Sequence, residues 1–488
     1  MTVILQRTPE SVTVARPPAE PRPAFGERYL VGLLGTGALL VFGAAARLRL
    51  EAPPAGDEPH YLIINEALRR YHTIDPTRVY ANQDYRPFYD AAIDAQSSLL
   101  PDGTPVPLHN AGGPLLWHPF YLVSGRAGAA LFLVLVSVLV VLNLYWLLRE
   151  LGVVRPYAAV VAGLFAIGTP IYVYSSMVYV EPIGALVVLY AARQIVAPAR
   201  SPARLVLASA ALGYLPLVHG RFAIFTGLAG GLLAVRLVRD VGRRSLWPYL
   251  YTLGPLVLVA GAVAVFTLIH YGTVNPAPGN ANMGAGLLRI APHRGLLSLL
   301  LDRYYGLLPY YPVLVLAPPG FLLSLRRGLA WTHLTLLGLA VPYLLAISTF
   351  NYWWGGFNPP ARFLTVVVPL VGYYVAVTLQ RLHHWVLTGL ALVAVAWAYA
   401  IALAGDIVPV ERFDSGAHSP ELLIDRVGHL LWLDDISRRL PSILHPAATG
   451  DTARFVKWLA VLALLTAALW LVGRRCPADR VPAPPTVR

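Results

Sequence analysis

The sequence predicts an all-α, polytopic integral membrane protein with about 12 transmembrane helices. Of its 488 residues, 57% are hydrophobic and only 13% are charged, whereas soluble domains carry about 25% charged residues. Apolar runs of roughly 18 or more residues, long enough to cross a bilayer as a helix, recur along the chain. Backbone groups in lipid must be satisfied internally, and no alternating pattern of a β-barrel is present. These runs therefore indicate a helical bundle.

Basic residues after each even-numbered run set the predicted orientation. Arginines occur in the N-terminal tail and after the second, fourth, sixth, eighth, tenth and twelfth runs. The positive-inside rule places these loops and both termini in the cytoplasm of a plasma (inner) membrane, with Arg47 and Arg49 as the main exceptions. The predicted spans are 29–48, 127–148, 156–174, 182–198, 204–219, 221–238, 247–270, 307–325, 330–349, 362–381, 384–404 and 455–473.

The longest polar segments fall on the outer side of this arrangement, while the cytoplasmic loops are short and basic. This asymmetry has no purpose in a pure scaffold, so it indicates chemistry at the outer face. The predicted division is a cytoplasmic tail 1–28, a transmembrane core 29–405 that includes outer loop 49–126, an outer loop 406–454, a last transmembrane helix 455–473 and a cytoplasmic tail 474–488.

Composition argues against three other features. The net charge of +13 is spread over loops, and there is no soluble domain to gather basic residues into a nucleic-acid-binding face. Cys476 is the only cysteine, which excludes an intrachain disulfide and a thiol-ligated metal site. About 27 polar, proline-rich residues precede the first span, a pattern unlike a cleavable signal peptide.

The strongest candidate for chemistry is the acidic dipeptide Asp57-Glu58, at the outer end of the first span. An ionisable pair in this position is costly unless it is used or solvated. Asp57 is also suited to cap a short helix over 58–70, with Pro59 in its first turn. The apolar spacing along this segment predicts a helix that lies in the membrane interface. A second apolar stretch, Pro114 to Val123, is too short to span.

The order of these features resembles the GT-C superfamily of polytopic glycosyltransferases, within it the branch of protein O-mannosyltransferases and aminoarabinose transferases. A long first outer loop opens with Asp57-Glu58 and continues into an interfacial helix. The segment His109–Leu115 is similar to the lysine-proline-rich segment later in that loop. Glu181, at the start of the fourth span, occupies the place of the second acidic residue, and Arg362 resembles the late arginine. The resemblance covers roughly residues 28–380.

The resemblance implies transfer of a sugar from a polyprenyl-phosphate donor to an acceptor hydroxyl of an envelope glycan, lipid or protein. A carboxylate within reach can accept the proton of the hydroxyl, and we assign that role to Asp57, with inversion at the anomeric carbon. Glu58 or Glu181 would orient sugar hydroxyls. Arginine suits the phosphate of the leaving group. The donor-phosphate candidates are Arg362, Arg221, Arg303 and, when protonated, His109; the alternative for each arginine is an interfacial, snorkelling side chain.

Aromatic residues and histidines on the outer side are the candidate contacts to sugar or acceptor. Trp353 and Trp354 precede Gly355-Gly356, where aromatic faces could stack on sugar rings; the favoured alternative is an interfacial aromatic belt. No pair of histidines has the spacing of a helix zinc site. The remaining candidate contacts are His60, Tyr61, His118 and His219, with a satisfied or headgroup-contacting histidine as the alternative.

No cofactor is required by this chemistry, because arginines can stabilise the phosphate. A divalent cation on Asp57 and Glu181 stays open, since hard oxygen ligands suit magnesium or manganese. The competing functional hypothesis is a transporter or flippase of lipid-linked saccharides. Such a protein would carry ionisable residues near the midplane of the bilayer. Here the charged candidates lie at span ends on one side, which favours an enzyme. A third hypothesis is a degenerate family member that acts as an assembly partner.

Overall fold

The chain folds almost entirely into helices, as predicted. The computed structural model describes residues 25–100, 103, 105–197, 201–242, 245–276, 292–356, 358–407, 423–433, 435–443 and 451–476. Most of the predicted terminal tails and nearly half of outer loop 406–454 lie outside the described residues, so the proposed division of the chain stays a prediction.

The first half of the chain holds eleven described helices and one small hairpin. Strands β1 (Ser97–Leu99) and β2 (Pro105–Pro107) pair antiparallel, with Ser98 opposite Val106. A 3₁₀ turn, Gly220–Phe222, leads into α10. The helices are α1 Phe25–Leu50, α2 Glu58–Tyr71, α3 Thr77–Ala81, α4 Gly112–Ser124, α5 Arg126–Glu150, α6 Arg155–Ile167, α7 Ile171–Tyr174, α8 Glu181–Val196, α9 Pro202–Val218, α10 Ala223–Asp240 and α11 Trp247–Tyr271.

The second half continues the helical pattern with more interruptions. The described part of this half has three 3₁₀ turns, at Pro312–Leu316, Leu325–Arg327 and Arg362–Val366. The described helices are α12 Pro292–Leu301, α13 Leu307–Tyr310, α14 Ala317–Ser324, α15 Ala330–Ser348, α16 Val368–Leu382, α17 Trp385–Ile407, α18 Leu423–Leu430, α19 Ile436–Arg439 and α20 Asp451–Arg475.

Each predicted span coincides with helical structure, but the count of 12 is not confirmed. Seven of the described helices are long and apolar enough to cross a membrane: α1, α5, α10 with its 3₁₀ turn, α11, α15, α17 and α20. The others are short or broken. Proline explains part of this, since it removes a backbone donor and clashes with the preceding turn. Pro170 separates α6 from α7, and Pro312 interrupts the segment 307–324.

The basic ends of the helices meet at one end of the bundle, as the predicted topology requires. Polar contacts join the start of α1 to the end of α5, and they join the ends of α5, α8, α10, α16 and α20 to one another in pairs. Which side of a membrane this end faces stays a prediction. The contacts are Arg149 with Glu27 (2.8 Å), Arg193 with Glu150 (2.6 Å), Arg236 with the carbonyl of Ile195 (3.1 Å) and Arg381 with the carbonyl of Gly473 (3.3 Å).

At the opposite end, α2 is enclosed by protein. It has the predicted bounds to within one residue, and its ten residues Glu58–Ala67 are all buried. Asn65 fastens it to α4 by donating to the carbonyl of Pro114 (3.0 Å) and accepting from the Trp117 indole (2.5 Å). Helix α4 in turn lies against α9, where a Cβ on Gly112 would collide with the backbone of Leu217. Glycine there allows the close approach that holds the first outer loop against the bundle.

The buried carboxylate of Asp302 joins distant parts of the chain at this same end, and we call it the Asp302 anchor. Its side chain is fully buried. Its carboxylate accepts hydrogen bonds from the backbone N–H of Tyr304 (2.8 Å), from the Ser442 hydroxyl (2.8 Å) and from the Ile443 N–H (3.0 Å). Burial raises the pKa of Asp302, and these donors oppose the shift. The segment that follows α19 is therefore fixed to the loop between α12 and α13.

Candidate active site

Two carboxylates and two guanidinium groups meet at the end of the bundle that holds α2. Arg362 bridges the carboxylates: its Nη2 lies 2.6 Å from Asp57 Oδ2 and its Nε lies 2.7 Å from Glu181 Oε1. Arg221 Nη2 reaches the same Glu181 oxygen at 2.5 Å. We call these four residues the charge network. All four were candidates from the sequence, and the structure brings them into one cluster.

Each member of the charge network stands at the beginning of a helical segment. Asp57 directly precedes α2, Glu181 opens α8, and Arg221 and Arg362 lie in the 3₁₀ turns before α10 and α16. The positive end of the α8 dipole favours the Glu181 carboxylate. Asp57 makes no capping hydrogen bond with its side chain. Its carboxylate is thus directed to Arg362 rather than to the end of its own helix.

Arg362 is buried, and two further groups fix its orientation. Its Nη1 donates to the carbonyl of Gly355 at 2.9 Å. Gly355 has φ of +90°, a conformation that glycine adopts without strain. The guanidinium carbon lies 4.4 Å from the ring centre of Tyr179, a cation–π distance. The Tyr179 hydroxyl also accepts the backbone N–H of Asp57 at 3.1 Å, so one tyrosine contacts both partners of the ion pair.

Tyr179 was not among the residues selected from the sequence. The available signal was its place two residues before Glu181, in the short outer turn 175–181. Asn358 was not among them either; its amide donates to the carbonyl of Gly356 at 2.7 Å beside Arg362. Both residues shape the pocket of the guanidinium.

Glu58 has partners that fix the backbone around the site. Its two oxygens accept the N–H of Val178 (2.7 Å) and the N–H of Ala55 (3.0 Å), and Arg126 lies 3.8 Å away. These contacts tie the turn before α2 to the turn before α8. The carboxylate of Glu58 therefore fixes the positions of Asp57 and Glu181 relative to each other.

Neutral histidines border Asp57. His109 Nδ1 lies 4.0 Å from Asp57 Oδ2, and its Nε2 lies 2.6 Å from Gln96 Oε1. His60 stacks on His109 with ring centres 5.3 Å apart. Burial lowers the pKa of His109, more than the nearby Asp57 charge raises it. His109 is therefore neutral at pH 7 in this arrangement and offers a hydrogen bond rather than a positive charge.

Asp57 stays ionised despite its burial. Desolvation by itself would raise its pKa, but the positive charge of Arg362 and the hydrogen bond that it donates outweigh that effect and hold the pKa below its usual value. The ion pair with Arg362 occupies Oδ2 of the carboxylate. In this structure the Asp57 carboxylate is charged and ion-paired with Arg362.

The other candidates occupy different surroundings. His219 supports the charge network, because its Nε2 lies 3.1 Å from Arg221 Nη1. Tyr61 is fully buried and packs on His109 at 4.9 Å between ring centres. His118 instead contacts Asn65 at 3.2 Å, on the side of α4. Arg303 lies beside the Asp302 anchor, with its guanidinium 5.1 Å from the ring centre of Tyr304.

The aromatic belt expected for the tryptophans does not hold for Trp353. Its side chain is 1% exposed and meets Trp354 edge to face, with ring centres 5.9 Å apart. The tight chain path around Gly355 turns this ring into the protein. Trp354 is half-buried and Tyr352 is exposed, so the outward-facing aromatic surface lies on either side of Trp353.

The arrangement does not fit a divalent cation on Asp57 and Glu181. The guanidinium of Arg362 occupies the space between the two carboxylates, and Glu181 Oε1 receives a second guanidinium from Arg221. A cation there would stand beside two fixed positive charges. Among the described residues, no group of three or more histidine, cysteine, aspartate or glutamate side chains is placed to hold a metal.

The pKa of His60 predicts how folding stability depends on pH. Burial, with His109 beside it, lowers that pKa to about 3 from the ordinary 6.5. A histidine with a lowered pKa binds fewer protons in the folded state, so its contribution is complete above 6.5 and is lost as the pH falls toward the folded value. Between about pH 7 and pH 5 the expected loss is about 2 kcal/mol. His60→Gln should remove this part of the dependence of the thermal unfolding midpoint.

The matched control for that measurement is His72→Gln, because His72 is exposed at the end of α2. It should reproduce the pH dependence of the wild type. An identical pH dependence in His60→Gln and wild type would show that His60 is protonated without cost, contrary to its burial.

Comparisons with known proteins bear on the fold. No family model matches the chain, and no curated protein matches it. Among solved structures, the archaeal oligosaccharyltransferase AglB from Archaeoglobus fulgidus, in complex with an inhibitory peptide and a dolichol-phosphate, has a TM-score of 0.48 and 15% identity over 87% of this chain. This chain spans 62% of that protein's length. A structure of the Archaeoglobus fulgidus oligosaccharyltransferase with Zn and sulfate gives a TM-score of 0.45 and 17% identity over 85% of this chain and 58% of that chain.

ArnT from Cupriavidus metallidurans, in the apo state, has a TM-score of 0.50 and 16% identity. The match covers 92% of this chain and 75% of ArnT. At identities of 15–17%, the similarity supports a shared fold alone. The predicted fold is confirmed: this chain is a polytopic, all-α membrane protein with the GT-C fold.

Proposed function

We propose that the protein is a membrane glycosyltransferase, which moves a sugar from a polyprenyl-phosphate donor to an acceptor hydroxyl. The observation that supports this proposal best is the charge network, which places a candidate base and two candidate phosphate ligands within one cluster. A transporter would need such groups along a path through the bilayer. Here they stand together at helix ends.

Asp57 is the proposed general base. As the acceptor oxygen forms its bond to the anomeric carbon, its proton passes to the Asp57 carboxylate, and the bond from that carbon to the phosphate oxygen breaks. The bonding electrons leave with the phosphate. Attack opposite the leaving group inverts the anomeric centre. A positioned carboxylate contributes about two to four decades of rate by this route.

The ion pair with Arg362 makes donor binding a condition for this chemistry. A carboxylate bound to a guanidinium at 2.6 Å is a poor proton acceptor. A phosphate offers the same guanidinium a competing anionic partner with matching bidentate geometry. When the donor phosphate binds Arg362, Asp57 is released to act on the acceptor. The site then becomes basic only when a donor is present.

Arg221 and Glu181 complete the proposed phosphate site. Arg221 lies with its guanidinium 4.3 Å from the ring centre of Phe363, and its buried Nε has no partner among the described residues. Glu181 Oε2 is likewise buried without a partner among them. We assign Arg221 to the phosphate and the open Glu181 oxygen to a hydroxyl of the donor sugar. Buried polar groups generally find such partners.

The wider assignment follows the same reasoning. Positive charge from two arginines can stabilise the leaving phosphate, so a metal is not part of the proposed mechanism. The basic end of the bundle is assigned to the cytoplasm and the charge network to the outer side of a bacterial inner membrane. The acceptor is an envelope glycan, lipid or protein that carries a hydroxyl.

The test uses purified protein in nanodiscs with radiolabelled polyprenyl-phosphate sugars and crude envelope acceptors. Label should move from at least one donor to an acceptor, and the product should show the inverted anomeric configuration. Tight donor binding without transfer to any acceptor would instead favour a transporter or an assembly partner.

A further inference from the structure

A cavity of about 600 Å³ lies between the end of α1, the second half of α2 and the junction of α4 with α5. Small-molecule sites are typically about 300–1,000 Å³ in volume. We call it the α2–α4 cavity. Its charged and aromatic lining residues are Glu51, Glu66, Arg69, Arg70, Asp84, Phe88, Tyr121 and Arg126.

A buried carboxylate organises the floor of the cavity. Glu66 is 4% exposed. It accepts hydrogen bonds from Arg69 Nε (3.0 Å) and Nη2 (2.5 Å), from Arg70 Nε and from the Tyr121 hydroxyl (3.0 Å). Arg70 also reaches Asp84 at 3.1 Å. The arginines are thereby held rigidly, with Arg69 Nη1 and Arg70 Nη2 left over as donors.

The charges of the lining cancel. Three carboxylates, those of Glu51, Glu66 and Asp84, face three guanidinium groups, those of Arg69, Arg70 and Arg126. A lining of this kind does not call for an ion. It offers many fixed donors and acceptors, which suit hydroxyl groups because each hydroxyl both donates and accepts. The rings of Phe88 and Tyr121 add apolar faces of the kind that pack against a sugar ring.

The cavity shares a wall with the proposed active site. Arg126 lines it and lies 3.8 Å from Glu58, the residue next to Asp57. The guanidinium of Arg126 also donates to the carbonyl of Ala52, and Ala52 and Pro53 line the cavity as well. A ligand that contacts Arg126 would therefore lie one side chain away from Glu58, the chain neighbour of Asp57. Such a ligand would also lie next to the last residue of α1, Leu50, and the first residue of α5, Arg126.

We propose that the α2–α4 cavity binds a neutral saccharide unit of the acceptor and so presents its hydroxyl to Asp57. This rests on the proposed glycosyltransferase function. The saccharide belongs either to a free glycan or to a membrane-anchored glycolipid. Leu50 and Leu122 on the rim would contact the lipid in the second case.

The test measures binding and transfer separately, in nanodiscs. Saturation-transfer NMR with maltose and with dodecyl maltoside in the bilayer reports contact with the sugar. Arg69→Gln should weaken binding at least about tenfold, the effect of losing one hydrogen bond to a charged group. Tyr121→Leu should also weaken it, because the aromatic face is lost. Arg86→Gln is the matched control, because Arg86 is an exposed arginine of the same loop outside the cavity. Signal from dodecyl maltoside alone identifies an anchored saccharide.

In the transfer assay the same two variants should raise the acceptor KM and leave the donor KM unchanged. Equal maltose signal in wild type and both variants, or no signal from either probe, overturns the saccharide site whatever the transfer assay gives. Displacement of the sugar by dodecyl phosphate also overturns it, in favour of an anionic headgroup. Saccharide binding that depends on Arg69, with no transfer from any donor, would instead count against the glycosyltransferase proposal.

Discussion

Asp57→Asn should lower the rate of sugar transfer by about two to four decades while the protein stays folded. Asparagine keeps the shape of the side chain and an oxygen that can accept from Arg362, but it cannot take up the proton of the acceptor. Because Arg362 holds the pKa of Asp57 below its usual range, the wild-type carboxylate is ionised throughout the neutral range. The loss should therefore be the same across that range. Single-turnover transfer with saturating donor measures it.

Asp90→Asn is the matched control for this experiment. Asp90 belongs to the same outer loop, and its side chain is fully exposed at the far end of a 3.8 Å contact with Arg86. Its replacement should leave transfer unchanged. A decrease of less than about tenfold in Asp57→Asn would rule out Asp57 as the general base, and Glu181 would become the next candidate to examine.

Arg362→Ala should abolish transfer and also lower the stability of the fold. The substitution leaves Asp57 without its ion pair and Glu181 with only Arg221. Removing one partner of a buried ion pair costs about 3–5 kcal/mol, because the remaining charge is uncompensated. The thermal unfolding midpoint in nanodiscs and the transfer rate measure the two effects separately.

Arg362→Lys separates charge from geometry. A lysine restores a positive charge but cannot reach two carboxylates and the Gly355 carbonyl in one plane. We expect it to recover much of the stability and little of the activity. Adding Asp57→Asn to Arg362→Ala should recover part of the stability too, because the carboxylate left without its ion pair is removed, with no recovery of transfer. Full activity in Arg362→Lys would mean that the phosphate is bound by point charge alone.

Much of the architecture could be predicted from the pattern of apolar residues. Periodicity and end signals located α2 to within one residue, because an acidic first turn, an early proline and terminal arginines all act locally. The number of spans could not be fixed in the same way. Composition shows that α6, α8 and α16 are apolar, but their lengths depend on where tertiary contacts and prolines end each helix.

The site was predictable in part for the same reason. Parity of the spans put Asp57, Glu181, Arg221 and Arg362 on one side, which is enough to expect them near one another. It does not indicate that Arg362 pairs with Asp57, since the two residues are distant in the sequence. The burial of Trp353 also could not be predicted from the sequence pattern. A tryptophan at a helix end gives the same pattern whether its side chain faces lipid or protein.

The Asp302 anchor has a consequence for how the chain is made. The Asp302 carboxylate accepts hydrogen bonds from donors 140 and 141 residues later in the chain, at Ser442 and Ile443. Until that stretch has been synthesised, the buried carboxyl group of Asp302 lacks two of its hydrogen-bond donors. This end of the bundle therefore cannot finish folding during the insertion of the first helices. Its completion has to follow the synthesis of the segment that carries Ser442 and Ile443.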